Sequence, residues 1–438
     1  MTHKNHFDGT QYQAQFSDEK TKLPGSDLVW LNEVRTSAMS RFEETGLPGP
    51  KVEEWKYTNL SQLNSDLYGT MDYTTNHAGQ DVDKFDLIDR KGSKVVFIDG
   101  YYRSSYSNII EQDGVRLQSL SEYINADPED AKVLFDKEPE NNSLTDLNTA
   151  LMTDGYVLII EEGIKLAEPI HIVHFSSGET DNKALRTKNF IQVGDESQVQ
   201  IIESFRGSDK TKNWRQNISE ISIGEDALLE IYQTQQEGDE TVHTSQTRTE
   251  VKKNGTFRHY SLNIGAKMSR SEIKPTLTGI NGKVELRGAF LGRNGNSHDV
   301  FTHMKHMVPE CNSDQIYRGV LDAGGKSAFQ GKVYVAKDAQ LTNADQSNKN
   351  ILLDRNAEAN SKPELLIYAD DVKCSHGATV GELDEDALFY LNSRGLNQTD
   401  AKALLVEAFV DEVFEDIKLE PMKEQYLEFA RGWLEQGA

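Results

Sequence analysis

Val193-Gly194-Asp195-Glu196-Ser197-Gln198-Val199 and, further on, Ile223-Gly224-Glu225-Asp226-Ala227-Leu228-Leu229 share one pattern. An apolar residue is followed by a small one four positions later and by a second apolar one two beyond that. The pattern returns as Val251, Gly255 and Phe257, then as Thr278, Gly282 and Val284, with Thr278 the departure from an apolar start. The copies begin at 193, 223, 251 and 278, about 28 residues apart, and no helical periodicity separates them. Short strands joined at corners that hold small residues, repeated without helices between, fit a β-solenoid in which each turn covers the open face of the last. A β-sandwich gives similar strand density but no reason for a sustained repeat. A mainly β solenoid is therefore the expected core.

Strand-like runs begin near Gly155, with Val157-Leu158-Ile159-Ile160 and Ile170-His171-Ile172-Val173, and continue to Gly381. The sequence on either side reads as helical. Leu28, Val29, Leu31, Val34, Ala38 and Phe42 form a stripe over 28–45, ended by Gly46-Leu47-Pro48-Gly49-Pro50. Shorter helices are expected at 117–124 and 131–135, a strand at 95–98, and loops over 74–86 and 138–142. Past Gly381, Asp384 reads as the N-cap of a helix over 385–393, with Gly395 just beyond its end. Asn397 caps a longer helix, and Pro421 fits the first position of a last one. On the long helix Leu405, Phe409, Val413 and Ile417 make one line, and Val406, Val410 and Phe414 make a second beside it. Two lines are wider than one packing face needs, so the helix is either buried between two neighbours or a docking surface. The expected division is 1–150 mostly helical, 151–380 solenoid and 381–438 helical.

The chain has 438 residues with Lys+Arg 47 against Asp+Glu 71, a net charge of -24. This balance argues against a general nucleic-acid or anionic-membrane binder, which needs clustered cations. No apolar run approaches a bilayer span and the first residues are polar, so a cytoplasmic protein is expected. There are 2 cysteines, Cys311 and Cys374, which rule out a disulfide framework and any self-contained four-thiolate site.

Cys374-Ser375-His376 follows the strand-like run Leu365-Leu366-Ile367-Tyr368. In extended geometry Cys374 and His376 point one way and Ser375 the other, with the two Cβ atoms roughly 6.5–7 Å apart. That is wide for two ligands of one small ion. It suits separate contacts with a larger cluster, or an ion lying in an interface. Thiolate and imidazole both ligate zinc, iron and iron–sulfur centres, whereas the bland reading of a lone cysteine is a small buried hydrophobe. With too few thiolates of its own, a metal role for this chain predicts a partner polypeptide. His298, His303 and His306 are the other candidates. The spacing of His303 and His306 puts them on opposite faces of a strand, so lining histidines are the favoured reading and a metal path the lesser one. Adjacent Asp370 and Asp371 face apart on a strand and poorly suit a glycosidase pair. Neither G-x-x-x-x-G-K-[ST] nor G-x-S-x-G is present.

Cys374-Ser375-His376-Gly377-Ala378-Thr379-Val380-Gly381, followed by Leu388-Phe389-Tyr390-Leu391-Asn392-Ser393-Arg394-Gly395, resembles the C-terminal signature of the SufB/SufD family of iron–sulfur cluster assembly subunits, in its SufD branch. Ser313 with Gln315, Phe329-Gln330-Gly331, Gln346, Asn350, Leu352-Leu353, Lys362-Pro363-Glu364-Leu365 and Glu54-Trp55-Lys56-Tyr57-Thr58 match in order. SufB-like chains carry a glutamate-rich motif where Cys-Ser-His stands here. The resemblance implies a right-handed parallel β-helix between helical domains, pairing with a SufB paralogue through the β-helices, and docking of the SufC ATPase on the C-terminal helices. The expected docking residues are Phe389, Tyr390, Arg394, Leu405, Phe409 and Val413. It further implies a non-catalytic scaffold, with ATP hydrolysis left to SufC and a flavin associated with the complex. Cys374 and His376 become interface residues toward iron or a nascent iron–sulfur cluster, His376 the favoured ligand. The rival readings are a carbohydrate-active β-helix enzyme, a SufB-type cluster-carrying subunit and a purely structural interaction protein.

Overall fold

Each small residue of the repeat stands directly after a residue in the left-handed backbone region. Glu196 (φ 58), Asp226 (φ 54), Asn254 (φ 54) and Asn281 (φ 60) precede Ser197, Ala227, Gly255 and Gly282. Two further corners follow the same rule: Glu310 (φ 62) precedes Cys311, and Leu341 (φ 60) precedes Thr342. Consecutive corners are tied by backbone bonds, such as Leu228 N–H to Ser197 O at 2.8 Å and Asn343 N–H to Cys311 O at 3.0 Å. The corner before Gly282 is one residue longer than the three before it. Strand pairing therefore sets Val251 against Leu277, which is fully buried, and Thr278 is a corner residue. The apparent exception in the repeat was a shift in alignment.

The computed structural model describes residues 6–71, 88, 91–136, 142–207 and 211–436. Its body is a β-solenoid of about 7 turns. One parallel sheet stacks strands Ile170–Ser176, Gln198–Gly207, Leu228–Gln236, Thr256–Asn263, Lys283–Gly292, Asn312–Leu321, Asn343–Leu352 and Lys373–Gly381. The second stacks Tyr156–Ile160, Lys183–Val193, Asn213–Ile223, Val242–Val251, Met268–Leu277, Ser297–His306, Lys326–Val335 and Glu358–Ile367. Inward residues from both sheets, including Val199, Leu229, Phe257, Ile221, Val251 and Leu277, form one buried core. Burial of such side chains is what holds neighbouring turns together, since each turn touches only the next.

The N-terminal region closes one end of this stack. Strand Lys94–Ile98 pairs with Ile170–Ser176, and the antiparallel strand Val115–Ser119 covers Tyr156–Ile160. Part of the helix expected at 117–124 is thus strand, because Leu117 pairs with Leu158; the helix starts only after Ser119, whose Oγ accepts from Glu122 N–H. The region also holds helices α1 (Thr10–Glu19), α2 (Val29–Thr45), α3 (Ser61–Ser65), α4 (Leu120–Ala126), α5 (Pro128–Phe135) and α6 (Ser143–Leu151). The loops expected over 74–86 and 138–141 lie outside the described residues, whereas Asn142 caps α6. Tyr12, Phe42, Leu144 and Leu147 pack on Ala184, Trp214 and Val242 of the second sheet's outer face.

The aromatic stretch Glu54–Thr58 is clamped to that same face. Arg270, 1% exposed, bonds Asp299 and Glu272, and its guanidinium lies 3.9 Å from the centre of the Trp55 ring. Thr58 donates its hydroxyl to Asp299.

At the other end α7 (Glu385–Ser393), α8 (Gln398–Phe414) and α9 (Glu420–Gln436) follow the last strand. Asp384 and Asn397 cap α7 and α8 as expected. The last helix begins at Glu420, which puts Pro421 at its second position. Val406, Val410, Val413, Phe414, Tyr426 and Trp433 pack on Tyr232, Tyr260, Leu262 and Val320, the outer face of the first sheet. Among the described residues no helix is long and apolar enough to cross a membrane.

Candidate functional site

The two ends of the solenoid differ. At the first end strands and helices cover the sheets. At the other, strands Lys373–Gly381 and Glu358–Ile367 are the last of their sheets, each with one hydrogen-bonded neighbour in its own sheet. Their outer edges therefore present unpaired backbone groups, an arrangement that favours pairing with another chain. Apolar side chains stand in the open there: Leu366, Ile367, Tyr368 and Val380, with Phe389 and Tyr390 on the following helix. A stack that ends without a polar capping turn leaves apolar surface that solubility demands be covered.

Cys374 and His376 sit on this last strand. Strand geometry persists, so they share the inward face, while Ser375 points outward and donates its hydroxyl to Asp345 at 2.5 Å. Cys374 is half-buried; burial and the negative charge of Asp345 hold its thiol above the ordinary value. His376 is exposed. The register puts Cys374 beside Ala344 and His376 beside Gln346.

Following those two columns down the stack shows a change of chemistry. The column under Cys374 runs Ala344, Ser313, Val284, Phe257, Leu229. The column under His376 runs Gln346, Gln315, Leu286, His259, Ile231. The column under His376 is thus polar for its first two positions, Gln346 and Gln315, before it turns apolar at Leu286. Across it, Thr302 donates to Gln315 Oε1 at 2.6 Å.

The remaining candidates do not join this site. Cys311 is a corner residue, fully buried, with its Sγ donating to Gly279 O at 3.3 Å; burial pushes its thiol up to about 11. It is the small residue of the repeat's next copy, a role visible in the spacing once the pattern is carried one turn further. The metal path through His303 and His306 is corrected by the strand that holds them, Ser297–His306. His306 faces inward, its Nε2 2.9 Å from Ser313 Oγ, and burial lowers it to about 4. His303 faces outward, held at about 4 by burial and by Lys305, Lys332 and Lys274, neighbours that repel a cation. His298 is buried, with its Nδ1 2.7 Å from Ser269 Oγ. Asp370 and Asp371 are exposed turn residues. Among the described residues no three His, Cys, Asp or Glu side chains are placed to hold a metal ion. A metal centre at Cys374 and His376 would need further ligands from outside these residues.

Val413 is also corrected as a docking residue. It is 1% exposed, because α8 packs on the outer face of the first sheet beside α9, and Val413 with Val406, Val410 and Phe414 is buried there. Leu405 and Phe409 are half-buried, Phe409 under the Arg318 guanidinium. The exposed apolar surface is instead Phe389 and Tyr390 on α7 with Leu404 on α8, beside exposed Arg394.

Comparison with known proteins settles the family. The profile described as "SUF system FeS cluster assembly, SufBD core domain" matches residues 175–409, and "SufBD protein N-terminal region" matches residues 8–172. The chain belongs to the SufBD family. An iron-sulfur cluster assembly SufBD family protein of Synechocystis is 30% identical over 430 residues, covering 96% of this chain and 94% of that one. The iron-sulfur cluster assembly protein SufD of Escherichia coli is 28% identical over 392 residues, 89% of this chain and 90% of its own. SufD of Bacillus subtilis is 23% identical over 435 residues, 95% of each chain. In this SufBD-family chain the two matched regions coincide with the capped end and with the solenoid plus the start of its helical tail, so membership covers the last strand and its Cys-Ser-His.

Proposed function

We propose that this chain is a SufD-type scaffold subunit whose last solenoid turn is one half of a site for assembling iron–sulfur clusters. The observation that carries the reading is the open end: two unpaired edges, exposed apolar residues, and a thiol and an imidazole on one face. A paralogous SufB-type β-helix, ending in the same way, offers edges of the right spacing to pair with these and further ligands to complete the coordination. Cys374 and His376 then contact iron or the nascent cluster from one side. Cys374 must ligate as the thiolate, so loading releases its proton and depends on pH.

The scaffold reading assigns ATP hydrolysis to a SufC-type partner docked on α7 and the start of α8. Three residues, 382–384, connect Gly381 to α7, so a pull on that helix reaches the strand of Cys374 directly. Helix α8 stays anchored to the sheet by Arg318–Glu412 at 2.8 Å and Lys349–Glu412 at 3.5 Å. Motion of α7 against this anchor reshapes the open end rather than stripping the helices from the solenoid.

His376→Ala in the complex purified without oxygen should retain both partners and lose bound iron. Full iron and sulfide content in that variant would remove His376 from the mechanism.

A further inference from the structure

Gln346 lies on the strand next to His376, directly beside it in register, at the spacing of about 4.8 Å between paired strands. Both side chains are on the inward face. The Gln346 side chain is buried, 3% exposed, and neither its Oε1 nor its Nε2 has a partner. Its neighbours differ in this respect: Gln315 Oε1 accepts from Thr302, and Asn348 Oδ1 accepts from Asn350 at 2.8 Å. An unpaired amide in a buried place is costly, so the fold must gain something by keeping it. The fold also makes room for it. On the facing sheet Gly331 lies against the Gln346 amide, and a Cβ at 331 would overlap the amide nitrogen.

We propose that Gln346 is the positioning residue for His376. Its Oε1 accepts the N–H of one ring nitrogen when the imidazole turns inward, which fixes the tautomer and leaves the other nitrogen unprotonated and facing the open end. A ligating imidazole needs this division, since one nitrogen binds the metal while the other donates to an acceptor that holds the ring. The amide is neutral, so it orients the ring without adding a charge beneath the cargo. This inference rests on the reading of His376 as a ligand, and it adds the group that prepares it.

The test is the tautomer ratio of His376, read from ring ¹⁵N shifts in the full-length chain with labelled histidine at alkaline pH. Gln346→Leu keeps the volume and removes the acceptor. It should change the ratio by roughly threefold to tenfold, the effect of one net hydrogen bond. Gln346→Glu keeps the acceptor and should keep the wild-type preference. In the anaerobic complex, Gln346→Leu should weaken ferrous iron binding by roughly 10–100-fold, as loss of such a supporting group does elsewhere. An unchanged ratio in Gln346→Leu, or the same loss in Gln346→Glu, overturns the assignment. If His376→Ala leaves iron binding intact while the ratio responds as stated, the ligand reading fails and the hydrogen bond stands.

Discussion

Arg270→Met probes how the N-terminal region is held on the solenoid. The guanidinium is buried between Asp299 and Glu272 and lies over the Trp55 ring, with Phe301 5.4 Å away. Glu272 keeps Lys274 at 2.8 Å after the change, but Asp299 keeps only the Thr58 hydroxyl among its bonds named above. Burial already pushes Asp299 above the usual carboxylate range against the pull of Arg270, so without the arginine it must take up a proton or open the clamp. Removing one member of a buried ion pair costs about 3–5 kcal/mol, and a desolvated cation over an aromatic ring contributes about 2 kcal/mol of that order. At 1.4 kcal/mol per tenfold, about 3–5 kcal/mol should raise local opening by about two to three and a half orders of magnitude. Hydrogen exchange at the Trp55 and Thr58 amides, which donate to Val52 O at 2.9 Å and Trp55 O at 3.1 Å, reads it directly. The double variant Arg270→Met/Asp299→Leu should recover part of the loss, since no carboxylate is then stranded. Less than a tenfold change in Arg270→Met, or a double variant worse than the single one, would refute the account of the clamp.

The two faces of the C-terminal helices should separate under mutation. Val413→Asp buries an unpaired charge against the sheet and should cost more than about 3 kcal/mol in urea unfolding. Phe389→Ser with Tyr390→Ser should change stability by less than about 0.5 kcal/mol each and weaken copurification of the proposed SufC-type ATPase. Acid should loosen the solenoid. His259, His298 and His306 are lowered by burial to about 4, below their ordinary 6.5, so the unfolded chain binds the extra protons. The stability they contribute is complete above pH 6.5 and declines as pH falls from there through 4, by at most about 3 kcal/mol per histidine. Asp154, raised to about 6 by burial, opposes this by gaining a proton over the same range. The urea midpoint should be lower at pH 4.5 than at pH 7.5, and equal midpoints would contradict the burial of these rings.

The repeat was legible because each of its corners places a small residue after a left-handed turn and between apolar positions that face the core. Capping residues made α7 and α8 legible for a similar local reason. Helix α6 was not, because eight of its nine residues, Leu144 to Leu151, are buried and a helix covered on nearly every side has no polar face to set a period. Val413 was misread because periodicity shows that a face is apolar without showing what covers it. The common inward face of Cys374 and His376 followed from alternation alone. The place of Gln346 beside them did not, since the register between strands 30 residues apart is set by the length of the corners between them.

The central claim is that the last turn of the solenoid is an interface. Hydrogen exchange in the isolated chain and in the chain mixed with the proposed SufB-type partner tests it most directly. The account predicts at least hundredfold greater protection in the complex for the outward-edge amides of 373–381 and for 366–368, with strand Lys94–Ile98 unchanged. Protection appearing at the capped end, with the amides of 373–381 exchanging as fast as before, would contradict it.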